Sequence, residues 1–194
     1  MACSTLGGEL SYANRIFVRR PFRSDVAAAI QSGVFDALAI SFVSSAEDVE
    51  KARDLMASRG HRLPIIAKIE TALGINNIDG IAQRADMLMA ARGDLAFSMP
   101  WEELPCAVDK IQRAASNWNR PWILATQLVE GLERFSFPTR AEICDLAHWI
   151  NAGAYGAMVS YETAFGSRPV DAVRCVRTVV DRYRRTTSPC LVAS

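Results

Sequence analysis

Two charged residues, Lys68 and Glu70, close the apolar run 64–70, which opens at Pro64. A short isoleucine-rich stretch of this kind reads as a strand buried on both faces. Alternate residues of a strand share a face, so Lys68 and Glu70 point the same way. Opposite charges at the end of a buried strand are costly unless they pair or hold a ligand. The pattern recurs where the apolar run 87–91 breaks into Arg92, Gly93 and Asp94. Carboxylates at the ends of neighbouring strands, Glu70 and Asp94, suit Mg²⁺ or Mn²⁺, which take one or two carboxylates and keep positions for water and substrate oxygens. The competing reading is a structural salt bridge from Glu70 to Lys68 or Arg92. Beside a dication, Lys68 would serve as an electrophile or proton donor; beside Glu70 alone it is a neutralised charge. Residues 91–94 offer backbone N–H groups where Gly93 permits close approach, a cradle for an anion. Thr126 offers a hydroxyl at another strand end, either to a carboxylate or phosphate oxygen or as the cap of a turn.

These groups must be positioned by regular elements, and the hydrophobic periodicity from Arg23 onward supplies them. Helices are expected over 25–32 (Ser24 as N-cap, Gly33 as stop), from Ser45 with Asp48 closing a capping box, and over 75–84, 106–117, 139–151 and 169–184. The face of the helix after Ser45 carries Val49, Ala52, Leu55 and Met56. Strands are expected over 37–43, 64–70, 86–91, 122–126 and 155–160. Strands alternating with helices imply parallel pairing through right-handed crossovers, hence a doubly wound sheet or part of a (β/α)₈ barrel. In both architectures ligands bind at the carboxyl ends of the strands. Here those ends carry Ser41, Lys68 and Glu70, Arg92 and Asp94, Thr126 and Gln127, and Ser160 and Glu162, whereas the strand starts are bland.

Bulk composition narrows the field. The 194 residues suffice for one domain with a real core, half of them are hydrophobic, and 22 basic against 21 acidic side chains give a charge of +1. That balance argues against nucleic-acid or membrane partners. The five cysteines (3, 106, 144, 175 and 190) have no paired spacing, which implies reduced, buried thiols in a cytoplasmic protein. No run approaches the roughly 18–20 apolar residues of a membrane span, and no leader is evident at the start of the sequence. His61 falls in a polar turn, and His148, near Leu146 and Trp149, is expected to be partly buried and not catalytic.

Taken together, the strand ends resemble the barrel domain of the pyruvate kinase family. The matching pieces are Ser41 and Phe42; Lys68 to Glu70; Ala91, Arg92, Gly93, Asp94 and Leu95; Ala125 to Leu128; Pro138 to Glu142; and Met158 to Thr163, in the family's order over about residues 20–184. The resemblance implies an α/β fold, a partial (β/α)₈ (TIM-type) barrel of about five parallel strands with flanking helices, matching the family's fourth to eighth strands. It implies domain limits of 1–20 for an arm or edge segment, 21–186 for the barrel and 187–194 for a tail. It implies Glu70 and Asp94 as metal ligands for Mg²⁺ or Mn²⁺, and Lys68 and Thr126 as catalytic residues. Ala91, Arg92, Gly93, Asp94, Thr126 and Ser160 would bind a pyruvate- or phosphoenolpyruvate-type 2-oxo acid through an enolate.

The departures are equally specific. Nothing matches the family's first three strands, its lid domain or its C-terminal domain. Tyr161 replaces a usual glycine, Phe165 a usual lysine, Ala96 a common glycine and Leu73 a usual polar residue. Three activities follow from the resemblance and its gaps: transferase chemistry from phosphoenolpyruvate to ADP, a metal-dependent lyase of the decarboxylase or aldolase kind on an oxaloacetate-like acid, or a non-catalytic interaction subunit. Five parallel strands leave open edges. Coverage is therefore expected from a homo-oligomer, a partner chain, or residues 1–20 folding over one edge, with 15–18 as a strand fragment.

Overall fold

The computed structural model describes residues 35–184 together with the backbone strands at 3–5, 8–11 and 15–18. The chain forms two compact units, Met1–Trp122 and Ile123–Ser194. The helix expected over 25–32 and the tail over 187–194 lie outside the described residues.

In the first unit, strands β1 (Cys3–Thr5), β2 (Gly8–Ser11) and β3 (Arg15–Val18) pair antiparallel in sequence order. Strand β3 then runs parallel to β4 (Leu38–Ile40), with Phe17 opposite Ala39 and Val18 opposite Ile40. The expected edge coverage is thus supplied on the β4 side by the chain itself. Strands β5 (Ile65–Ile69) and β6 (Met87–Ala91) continue the parallel ladder, Leu38 opposite Ile65 and Ile66 opposite Met87. Every residue of β4 and β5 is buried, as their unbroken apolar runs require.

Helix α1 (Ala46–Ala57) opens on Ser45, where the Asp48 carboxylate accepts from the backbone N–H groups of Ser44 (3.0 Å) and Ser45 (3.1 Å). It buries Val49, Ala52 and Met56. The expected helix over 75–84 is instead two pieces, α2 (Ala72–Asn76) and α3 (Ile78–Arg84), divided at Asn77. Thr71 caps the first by accepting from the Gly74 N–H at 3.0 Å. Gly74 has no room for a side chain, because a Cβ there would stand 2.7 Å from the Val43 carbonyl oxygen. After β6 come α4 (Arg92–Phe97), which the periodicity does not announce, and α5 (Leu104–Asn117). Helix α5 buries Ala107, Val108, Ile111, Ala114 and Ala115, one face of a 3.6-residue repeat, against β6 and α3.

The starting ends of the strands are tied internally. Asp86 accepts from the Ile65 N–H at 2.8 Å and from Arg53 at 3.1 Å, while Arg53 also donates to the Arg84 carbonyl at 2.8 Å. Arg120 donates to the carbonyls of Ala82 (3.1 Å) and Gln83 (3.0 Å).

Strand β7 (Trp122–Ala125) leads into the second unit and pairs parallel with β8 (Gly156–Met158), Leu124 opposite Ala157. Helices α6 (Arg140–Asn151) and α8 (Pro169–Arg184) pack together, burying Leu146, Trp149 and Ile150 from one and Ala172, Val176 and Val179 from the other. A single turn, α7 (Tyr161–Ala164), lies between β8 and α8. The fold class is α/β, with parallel strands alternating with helices as in part of a (β/α)₈ barrel.

Some expectations need correction. The strand expected over 37–43 stops at Ile40, because Phe42 turns into the left-handed region (φ 57°) and leaves the ladder. Cys106 and Cys144 are exposed and Cys175 half-buried, so the thiols do not occupy the apolar faces of their helices. His148 is likewise exposed, lying edge-on to the Trp149 ring at 4.7 Å between centroids. Among the described residues no helix is long and apolar enough to cross a membrane.

Candidate active site

Ser41, Lys68, Glu70 and Glu162 are the buried polar side chains among the described residues, and all lie at or just past the carboxyl end of a strand. Polar groups withdrawn from water need partners. In the first unit these form a chain: Lys68 Nζ donates to Ser41 Oγ at 2.8 Å and sits 2.9 Å from Glu70 Oε1. Glu70 Oε2 accepts from the Phe42 backbone N–H at 2.5 Å. The side chains of Lys68 and Glu70 therefore meet on one face of β5, as their two-residue spacing requires.

Phe42 is what periodicity does not reveal. A non-glycine residue in the left-handed region carries strain of order 1 kcal/mol, tolerated where the surroundings over-determine it. Here the turn carries the Phe42 N–H to Glu70. The same loop is tied down by Ser44, whose hydroxyl donates to the Phe42 carbonyl (3.1 Å) and whose carbonyl accepts from Asn77 Nδ2 (2.8 Å).

Burial pushes the Glu70 carboxyl above its ordinary value, against the opposing pull of Lys68 and the hydrogen bonds from Lys68 and Phe42. The charge of Asp94 adds a smaller upward push. Asp94 itself is exposed, in the first turn of α4. Ala91 ends β6, buried, and Arg92 and Gly93 open α4 half-buried. The N–H groups at the start of a helix have no partner within it and face whatever lies beyond. Among the described residues no three His, Cys, Asp or Glu side chains converge to cage an ion. The donors on offer are the hard oxygens of Glu70 and Asp94, a set that fits a dication completing its shell with water and ligand oxygens.

The second unit presents Thr126 and Gln127 immediately past β7, both in the left-handed region (φ 74° and 54°). Ser160, half-buried past β8, donates its backbone N–H to Glu162 Oε2 at 2.9 Å. Glu162 Oε1 is buried with no hydrogen bond among the described residues. Tyr161 and Phe165 are exposed and stack on each other at 5.6 Å.

Comparison with known proteins identifies the family. The family model described as "Pyruvate kinase, barrel domain" matches residues 20–173. A pyruvate kinase of Chlamydia trachomatis serovar D is 41% identical over 152 residues, 78% of this chain and 31% of that protein. One of Thermotoga maritima is 38% identical over 141 residues, 73% of this chain and 30% of that protein. One of Geobacillus stearothermophilus is 40% identical over 161 residues, 82% of this chain and 27% of that protein. The chain thus spans less than a third of the length of these relatives. Residues 20–173 place the chain in the pyruvate kinase family, over its barrel domain.

Proposed function

We propose that this chain binds a pyruvate- or phosphoenolpyruvate-type 2-oxo acid together with Mg²⁺ or Mn²⁺, at the carboxyl ends of its strands, and stabilises the enolate of that acid. The observation that carries the reading is the buried Lys68–Glu70 pair with the Asp94 charge acting on Glu70. Glu70 and Asp94 are the proposed metal ligands. When bound, the dication supplies Lewis-acid neutralisation of negative charge on the ligand oxygens. Lys68, fixed by Ser41 and Glu70 through contacts of 2.8 and 2.9 Å, presents an ammonium to an enolate oxygen or to a phosphoryl group. The backbone at Ala91, Arg92 and Gly93 is the proposed cradle for the ligand carboxylate. Thr126 as a catalytic residue, and Thr126 and Ser160 as substrate-binding residues, rest on the family correspondence alone.

In the reaction that the family name implies, the phosphoryl group leaves the enol oxygen of phosphoenolpyruvate for ADP, and a proton is added at C3. Such transfer depends mainly on positioning and charge neutralisation. Lysis of an oxaloacetate-like acid passes through the same enolate and needs no nucleotide. A cytoplasmic location and coverage of remaining strand edges by further copies or a partner chain belong to the same reading, and the mass of the native assembly tests the latter. Two steps test the site: turnover of phosphoenolpyruvate with ADP, and of oxaloacetate, each with Mg²⁺ and Mn²⁺; and calorimetry with Mg²⁺ and oxalate as an enolate mimic. Asp94→Ala is expected to abolish metal-dependent oxalate binding and leave the circular dichroism spectrum unchanged. Unaltered binding in that variant would refute the metal assignment.

A further inference from the structure

Glu142 is the acidic end of the motif 138–142, and nothing proposed above uses it. Its two carboxylate oxygens hold both ends of one loop. Oε1 accepts from the Gly131 N–H at 2.7 Å and Oε2 from the Thr139 N–H at 2.6 Å, while Thr139 Oγ1 accepts from the Glu142 N–H at 3.2 Å. A capping box ordinarily ends there, with the acidic residue bonded only to the N-cap backbone. Here the second oxygen reaches eleven positions back in the chain, to Gly131. The approach is close: a Cβ at residue 131 would stand 2.8 Å from Glu142 Oε2, so that the carboxylate would have to shift to admit a side chain there.

Gly131 lies in the 3₁₀ turn Glu130–Glu133, which packs against α7, the turn that follows Ser160. The same 3₁₀ turn is separated from Thr126 only by Gln127, Leu128 and Val129, the last two fully buried. Thr126 and Gln127 both hold a positive φ, a conformation costing of order 1 kcal/mol for each non-glycine residue and kept only where other contacts enforce it. Apolar anchors such as Leu128, Val129 and Leu132 fix depth without direction, whereas two short charge-assisted hydrogen bonds fix direction.

We propose that Glu142 is a positioning residue that, through Gly131, holds the segment 126–133 in the conformation presenting the Thr126 hydroxyl; this rests on the reading of Thr126 as a substrate-binding residue. The test measures oxalate affinity with Mg²⁺ for the intact chain, Glu142→Gln, Thr126→Ala and the double variant, alongside amide exchange over 126–133. Glu142→Gln is expected to weaken oxalate about tenfold alone but less than twofold in the Thr126→Ala background, because residues acting through one another are not additive. Exchange over 126–133 should quicken at least tenfold in Glu142→Gln. Gly131→Ala strikes the same contact from the loop side and carries the same expectations should Glu142→Gln fail to fold. A purely structural role would lower the melting temperature and leave oxalate affinity unchanged, or would add independently to Thr126→Ala; either result overturns the proposal. Failure of the unaltered chain to bind oxalate would instead sink the functional reading, and unchanged exchange in Glu142→Gln would still overturn the positioning role separately.

Discussion

Lys68 and Glu70 show what residue types at fixed spacing can and cannot say. Their shared face was legible from the alternation of a strand, and the 2.9 Å ion pair follows from it. Illegible was the third party, the Phe42 amide, because a backbone N–H has no signature in a sequence. Burial holds the Glu70 carboxyl up, so the folded chain binds that proton more tightly than the unfolded chain does. The stability this group contributes is therefore present at acid pH and lost as pH rises through the elevated value. Metal uptake has the opposite slope, since only the ionised carboxylate is a ligand. Magnesium affinity measured by calorimetry from pH 7.5 down to pH 5 should fall with a midpoint above the ordinary 4.5 of a glutamate, and Glu70→Gln should lose that dependence. Removing the other partner is costly in a different way. Lys68→Met leaves a carboxylate buried and uncompensated, a loss of about 3–5 kcal/mol in denaturant titrations at neutral pH. Any turnover by the intact chain should disappear in the same variant.

At the scale of elements, helices and strands with strong periodicity were readable, and those defined by local hydrogen bonding were not. Ile75, Ile78, Ile81 and Ala82 keep one buried rhythm across the break at Asn77, so two helices read as one. The short turns α4 and α7 are set by what precedes them and not by an apolar stripe. Cysteine misleads for a related reason: counted as apolar, Cys106 and Cys144 were expected inside, yet both face solvent. Alkylation followed residue by residue should accordingly label these two before Cys175, whose thiol burial pushes up, with the Glu142 charge adding to the effect. Within β6, Leu88 is fully buried, and Leu88→Ala should cost about 2–5 kcal/mol by chemical denaturation. The loop after β4 offers a sharper contrast. Phe42→Pro removes the amide that grips Glu70 and forbids the positive φ, whereas Phe42→Gly keeps the amide and relieves the strain. Thermal melts should rank glycine above proline by several degrees.

For the molecule as a whole, the parallel strands, the alternation with helices and the resemblance to a barrel are all legible in the sequence. The covering of the β4 edge by β3 was anticipated only as one option among several, since residues 1–20 carry little periodicity. A chain lacking residues 1–20 would expose the row of N–H and C=O groups that β4 now shares with β3. Sedimentation of that shortened chain should reveal concentration-dependent association beyond any shown by the intact chain.

Strand β5 is five residues long, on the order of 16 Å. One end is stitched by Asp86 to Arg53 and the Ile65 amide; the other carries the ammonium and carboxylate proposed for chemistry. Foldability and reactivity are thereby lodged at opposite tips of one rod. A lineage could exchange the reactive tip, trading one substrate for another, without renegotiating how the rod is mounted. Such separation makes a scaffold evolvable.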